Sequence, residues 1–225
     1  RSVMYEFGHA DVELRDRHVI VGPGEYLPAE FRVEPDASSA SYPLAAAAIV
    51  GGAVSVRGLG SSSVQGDARF VDVLESMGCI VTQGSHDTVV MRRRDAPLRG
   101  VEVDMADISD LVPTVAVVAT QAVTPTRITG VGFIRAKESD RLGDLAGELR
   151  RTGALVTVEP DGLLIEPTDH LDGARLDTHH DHRLAMAFGL LGLVVDGIEI
   201  SDPAVVSKSW PGYWDALAAI PARLL

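Results

Sequence analysis

The sequence contains a single cysteine, Cys79, so it can build neither a disulfide framework nor a cysteine-rich zinc site, and a reducing compartment is expected. No stretch approaches the ~18 consecutive apolar residues of a membrane span, which points to a cytoplasmic protein without a membrane partner. Aromatics make up only 5% of the chain, and Ala, Val, Leu and Gly dominate a hydrophobic content of 46%, a composition suited to packed α/β layers. Basic residues are also in deficit. With 20 Lys and Arg against 32 Asp and Glu, the net charge of -12 argues against nucleic acid as a partner, because a phosphate backbone needs a basic surface. A small anionic ligand remains compatible with that balance if the few cations converge. The chain opens on Arg1, with neither an initiator Met nor a signal peptide, and is expected to be a fragment or a processed product.

Against this background one stretch is dense in charge. Between Arg135 and Arg141, Lys137, Glu138 and Asp140 also ionise, just before Leu142, Leu145, Ala146 and Leu149 recur at helical spacing. The pattern predicts that Glu138–Arg141 form the first turn of an amphipathic helix, with Lys137 and Arg141 on one side. A helix N-terminus carrying a Lys and an Arg is suited to a phosphate or carboxylate, and Glu138 there is placed to move a proton. Taken alone, the stretch reads more readily as an ordinary solvated helix start, with Glu138 and Asp140 satisfying the dipole.

The rest of the chain supplies a repeat. Residues 1 to 33 read as the tail of a preceding domain: a helix end at Gly8, then strand-like Val12–Leu14 and Val19–Val21. From residue 34 a unit recurs, over about 34–100, 101–170 and 171–225. In the first, Asp36-Ala-Ser-Ser opens a helix through Ile49, a strand Ala53–Arg57 follows, a second helix ends at Gly78, and a hairpin runs Ile80–Arg92. In the second, Ser109-Asp110 opens a helix to Thr120, followed by strand Thr126–Thr129, a helix ending at Gly153, and a hairpin Ala154–Glu166 turning at Pro160-Asp-Gly. The third opens at Asp181-His182-Arg183, continues through strand Ile198–Ser201 to a helix holding Trp214 and Leu217, and has no hairpin. Such a repeat predicts an α/β (α+β) domain of pseudo-threefold order with equivalent helix starts at one end. That end would collect Asp36, Ser38, Ser39, Asp110, Glu138, Arg141, Asp181, His182 and Arg183 into an anion site.

Other features have plain structural readings. Asp110 and Asp181 fit helix caps. The run Arg92-Arg93-Arg94 fits a solvated strand edge, Cys79 a small buried side chain, and Trp210 and Trp214 core packing. His179, His180 and His182 cannot all face one ion from a helix start, so no metal is expected, and no cofactor is called for.

Five motifs carry a resemblance: Asp36-Ala-Ser-Ser-Ala-Ser-Tyr, Gln65-Gly-Asp-Ala-Arg-Phe, Lys137-Glu-Ser-Asp-Arg-Leu, Asp181-His-Arg-Leu-Ala-Met and Ser207-Lys-Ser-Trp-Pro. In this order they resemble the enolpyruvyl transferases, nearest to those acting on 3-phosphoshikimate in the shikimate pathway of aromatic amino acid biosynthesis. The resemblance implies a two-lobed fold with lobes of βαβαββ-type units, and phosphoenolpyruvate and a phosphorylated hydroxyl acceptor as substrates. It implies that Asp110 deprotonates the acceptor hydroxyl and that Glu138 takes part in proton transfer at the transferred carbon. Lys137 bridges acceptor and reacting centre. Arg141, Arg183 and Lys208 bind the phosphate and carboxylate of phosphoenolpyruvate, with Lys208 also a candidate proton donor. His182 orients Arg183 or Glu138. The first half of the family pattern, including the grip on the acceptor's phosphate, lies outside this chain, which should be inactive without its N-terminal partner half. One departure bears on the acceptor: Phe133 stands four residues before Lys137, where the pattern usually has an Asn, so a nucleotide acceptor stays open. Transferases acting on UDP-N-acetylglucosamine fit the motifs less well, and a catalytically silent domain of the same fold is the remaining alternative.

Overall fold

A computed structural model describes residues 1–8 and 11–220, and these divide into two compact units, residues 1–35 and the residues from Asp36 onward. In the first, helix α1 (Ser2–Glu6) ends ahead of Gly8, whose φ of 83° suits a residue without a Cβ. Strands β1 (Val12–Arg15) and β2 (His18–Val21) form an antiparallel hairpin. No residue of β2 is buried in this structure.

The second unit realises the repeat. Its first copy holds α2 (Ala37–Val50), β3 (Gly52–Arg57), a 3-10 turn at Gly66–Arg69 running into α3 (Phe70–Ser76), and the hairpin β4 (Ile80–Gln83) and β5 (Asp87–Arg92). The second holds β6 (Glu102–Asp104), a 3-10 turn Ala106–Leu111, α4 (Val112–Ala119), β7 (Thr126–Thr129), a 3-10 turn Gly132–Ala136, α5 (Gly143–Arg151), and the hairpin β8 (Leu155–Glu159) and β9 (Gly162–Glu166). The third holds β10 (Arg175–Leu176), α6 (His182–Leu191), β11 (Glu199–Ile200), a 3-10 turn Pro203–Lys208 and α7 (Tyr213–Ala218). The sheets repeat as well. Strand order β3-β5-β4 in the first copy matches β7-β9-β8 in the second, and the parallel pairs β6–β7 and β10–β11 match each other across their intervening helices. Among the described residues the third copy has no hairpin.

Helices α2, α4 and α6 pack on one another in the centre. They can do so because the contact faces are small or branched: Ala45, Ala46, Ala48, Val115, Ala116, Ala185 and Ala187 are all solvent-free. The sheets flank this trio, and the helical periodicity read for the later helix holds, since Leu142, Leu145, Ala146 and Leu149 are fully buried. Trp210 and Trp214 pack against the same core, and Tyr213 stacks edge-on with both. Cys79 is buried, and burial pushes its thiol up to about 11, as expected of an inert small side chain.

Two expectations need correction. The charged stretch does not begin the helix, because the Asp140 carboxylate accepts the N–H groups of Leu142 (3.2 Å) and Gly143 (2.9 Å) and so starts α5 at Gly143. Lys137–Arg141 therefore form a loop rather than a helical turn. The arginine run is not wholly a solvated edge either. Arg92 turns inward and donates to Ala48 O, to Ile49 O at 3.0 Å and to Ala96 O at 2.5 Å, capping the C-terminus of α2, while Arg93 stays exposed and pairs with Asp95. Replacing Arg92 with Ala should lower unfolding free energy by about 2 kcal/mol, the scale of a charge-assisted hydrogen bond lost from half-buried carbonyls. Urea unfolding of wild type and variant would measure it, and Lys should rescue poorly because it lacks the planar fork.

Candidate functional site

The site is assembled by connections between copies. The turn of the β8–β9 hairpin holds the stretch before Lys137: the Asp161 carboxylate accepts from Gly130 N (3.1 Å) and Gly132 N (2.8 Å), and Val131 N donates to Asp161 O. The chain then leaves the Gly132–Ala136 turn and presents Lys137, Glu138 and Arg141 from a loop pinned at its far side by Asp140. Arg135 donates to Glu159 O and lies 3.4 Å from the Asp140 carboxylate, tying the loop to the sheet.

Arg141 lies at the centre and is 1% exposed. Its Nε donates to Asp181 Oδ2 at 2.5 Å, Nη1 to Asp110 Oδ1 at 2.8 Å, and Nη2 to Glu138 Oε2 at 2.7 Å, with a second, 3.3 Å contact to Asp181 Oδ1. One guanidinium thus spans three carboxylates, a pattern that Lys could not reproduce. Asp110 also receives Lys137 Nζ on Oδ1 and Arg183 Nη2 on Oδ2 at 2.8 Å, while Ser109 Oγ accepts from Lys137 Nζ at 3.1 Å. Lys208, at the end of the Pro203–Lys208 turn, reaches Glu138 Oε1 at 3.1 Å. Asp110, Lys137, Glu138, Arg141, Arg183 and Lys208 therefore form one continuous ionic network drawn from the second and third copies.

The geometry also separates the carboxylate that caps a helix from the one that does not. Asp110 sits in the 3-10 turn before α4, and that helix start has no side-chain cap; its carboxylate is committed to the cations instead. Asp181 does cap α6, accepting from Arg183 N at 2.8 Å, and in addition is the fully buried counter-ion of Arg141 and an acceptor for Ser139 Oγ at 3.2 Å. Neither of these last contacts was legible locally, since the partners lie 40 and 42 residues away. The expected gathering of helix starts is only partly met. Asp36 caps α2 through Ser38 N and Ser39 N, Ser38 Oγ bonds to Asp67, and Ala37 N donates to Gln65. This group bonds within its own turn and to Gln65 and Asp67, and it is Tyr42 further along α2 that lies buried beside Arg183, Asp181 and Arg141, its phenol pKa raised chiefly by burial.

His182 is buried, and its Nδ1 lacks a hydrogen-bond partner, 3.9 Å from Asp181 Oδ1. Burial and then the Arg183 charge lower its pKa, favouring the neutral ring. Phe133 is 56% exposed, with Lys137 Nζ 5.7 Å from the ring centroid, a cation–π contact at the rim. Among the described residues no group of His, Cys, Asp or Glu is arranged to hold a metal, and no helix is long and apolar enough to cross a membrane.

Electrostatically the two reachable carboxylates are held as anions. For Glu138, partial burial raises the pKa, but Lys208, its own backbone N–H and Arg141 outweigh that and hold it at about 2. For Asp110, burial also raises it, and Lys137, Arg183 and Arg141 more than offset the rise. Arg141 is raised in turn because Asp181, Glu138 and Asp110 outweigh its burial. A ligand carrying phosphate and carboxylate groups would compete for those same cations, and losing them would raise the pKa of both carboxylates.

The sequence model of the family described as EPSP synthase (3-phosphoshikimate 1-carboxyvinyltransferase) matches residues 2–217. The chain belongs to the EPSP synthase family. It is 49% identical over 217 residues to the 3-phosphoshikimate 1-carboxyvinyltransferase of Methanoculleus marisnigri, covering 96% of this chain and 51% of that protein. To the protein of the same description from Nostoc punctiforme it is 43% identical over 213 residues, covering 94% and 49%. Its fold matches the EPSP synthase of Acinetobacter baumannii with a TM-score of 0.79 at 27% identity, over 96% of this chain and 52% of that one. The enolpyruvyl transferase NikO of Streptomyces tendae shares the fold, with a TM-score of 0.76 at 23% identity. The chain thus spans about half the length of the relatives it matches. Its α/β repeat is the EPSP synthase family's architecture, as the motifs implied.

Proposed function

We infer that the full-length protein carrying this chain transfers the carboxyvinyl group of phosphoenolpyruvate to a hydroxyl of 3-phosphoshikimate and releases phosphate. The observation that carries this reading is the pair of ionised carboxylates, Asp110 and Glu138, bridged by Arg141 and each held by further cations. The reaction needs that arrangement. A proton adds to the methylene carbon of phosphoenolpyruvate while the acceptor oxygen, losing its own proton, bonds to C2. The resulting tetrahedral adduct then loses phosphate as a proton leaves the new methyl group, restoring the vinyl bond. In this scheme Asp110 takes the hydroxyl proton and Glu138 serves the methyl carbon. Lys137, which already touches Asp110, lies between acceptor and reacting centre, while Arg141, Arg183 and Lys208 grip the donor's phosphate and carboxylate. His182 is a neutral packing partner of Asp181 that helps to set Arg183. The other half of the full-length protein supplies the acceptor's phosphate grip, so this half should be inactive alone. A single buried thiol fits a reducing cytoplasm.

The exposed Phe133 at the rim favours a second reading in which an aromatic base or sugar stacks there. Phosphate release from phosphoenolpyruvate, assayed on the full-length protein with 3-phosphoshikimate and separately with uridine nucleotides, decides between them. Release with 3-phosphoshikimate is expected; release only with a nucleotide would replace the acceptor, and none with either would make the domain catalytically silent.

A further inference from the structure

Glu148, on α5, takes no part in the ionic network, yet it is 7% exposed on the same apolar face as Leu145 and Leu149. A buried carboxylate needs partners, and every partner Glu148 has comes from one loop or from its own helix. Its Oε2 accepts Asp177 N at 3.0 Å, its Oε1 lies 3.2 Å from His179 Nε2, and Arg151 Nε is 3.6 Å away. His179 also sits 3.7 Å from Asp144, a turn earlier on α5, and its own N–H donates to Asp177 Oδ1 at 2.8 Å. The loop so held is Asp177–His180. It contains two consecutive residues with left-handed backbone, His179 at φ 49° and His180 at φ 57°, a costly conformation for side chains with a Cβ. The next residue is Asp181, which orients Arg141 and receives Arg183 N.

We propose that Glu148 and His179 act as a positioning clamp: they lock the strained loop onto α5 and thereby fix Asp181, and through it the guanidinium groups of Arg141 and Arg183. The clamp joins the two segments that carry the cations, because α5 follows directly on Lys137–Arg141 and α6 follows directly on the loop. The inference rests on the reading of Arg141 and Arg183 as the donor's anchors. Without the clamp the loop can relax out of its left-handed turn and the Asp181 carboxylate shifts, so donor binding suffers more than the chemical step.

The test uses the full-length protein with Glu148→Ala, Glu148→Gln and His179→Gly. In the phosphate-release assay Glu148→Ala should raise the KM for phosphoenolpyruvate about tenfold while kcat falls less, and Glu148→Gln, which still accepts the Asp177 N–H, should recover most of the loss. His179→Gly relieves the backbone cost but removes the imidazole, and should raise the same KM several-fold without lowering the melting temperature. A folded Glu148→Ala with wild-type KM overturns the clamp. Should Glu148→Ala fail to fold, an unchanged KM in His179→Gly overturns it instead. Amide hydrogen exchange at Asp177 and Arg183 needs no substrate: faster exchange at both in His179→Gly supports the clamp, and unchanged protection contradicts it, even if the wild type proves inactive and the functional reading falls.

Discussion

Asp181→Ala should cost the protein roughly 3 to 5 kcal/mol of unfolding free energy, the largest stability effect expected of any single change in the site. The buried pair with Arg141 would not be worth that much against an apolar replacement, since both ions pay to leave water. Removing one partner is different, because it strands the other: Arg141, 1% exposed, keeps contacts only with Asp110 and Glu138, which are themselves about a third exposed. The same substitution removes the cap of α6, which is the acceptor of Arg183 N, and the acceptor of Ser139 Oγ. Asp181→Asn keeps an acceptor at the cap and loses the charge, so it should fall between wild type and Ala. Denaturant unfolding of the three proteins measures the order. A loss below about 1 kcal/mol for Asp181→Ala would mean that Arg141 is not held as described.

The second large effect is on turnover. Glu138→Gln is nearly isosteric and keeps one acceptor oxygen, enough for either Lys208 or Arg141, yet it cannot hold or release a proton at neutral pH. It should lower kcat by on the order of 10²-fold or more, the usual contribution of a positioned acid or base, and Asp110→Ala should do the same. The effect should fall on kcat rather than on the affinity for phosphoenolpyruvate, because Arg141, Arg183 and Lys208 remain. Steady-state kinetics on the full-length variants separates the two, and a near-normal kcat in either variant removes that carboxylate from the mechanism.

How legible this was in the sequence depends on how local each feature is. Periodicity and turn chemistry placed the hairpins at Gly84–Asp87 and Pro160–Gly162, the burial of Leu142, Leu145, Ala146 and Leu149, and the α6 cap at Asp181, all of which involve residues a few positions apart. The start of α5 is not fixed by local pattern because Glu138 and Asp140 are both acceptable acidic residues for a first turn, and only the turn geometry shows that Asp140 takes the Leu142 and Gly143 N–H groups. The inward turn of Arg92 depends on carbonyls of α2 more than forty residues earlier, which no local pattern reports. Asp110 reads locally as a cap, and the convergence of Lys137, Arg141 and Arg183 on it depends on residues 27 to 73 positions away. Glu148 did leave a signal: a lone acid three residues after Leu145 and one before Leu149 falls on a buried face, and such an acid has to find partners.

The proposed reaction is an addition and elimination at the vinyl carbon of phosphoenolpyruvate rather than an attack at phosphorus. Carrying out the reaction of the full-length protein in D2O tests it, with mass spectrometry or NMR of the vinyl group in the product. If a proton is added to the methylene carbon and one is later removed from the resulting methyl group, deuterium must appear in the product's CH2, and Glu138→Gln should slow its appearance along with turnover. Phosphate release that leaves the vinyl group free of deuterium would contradict the account.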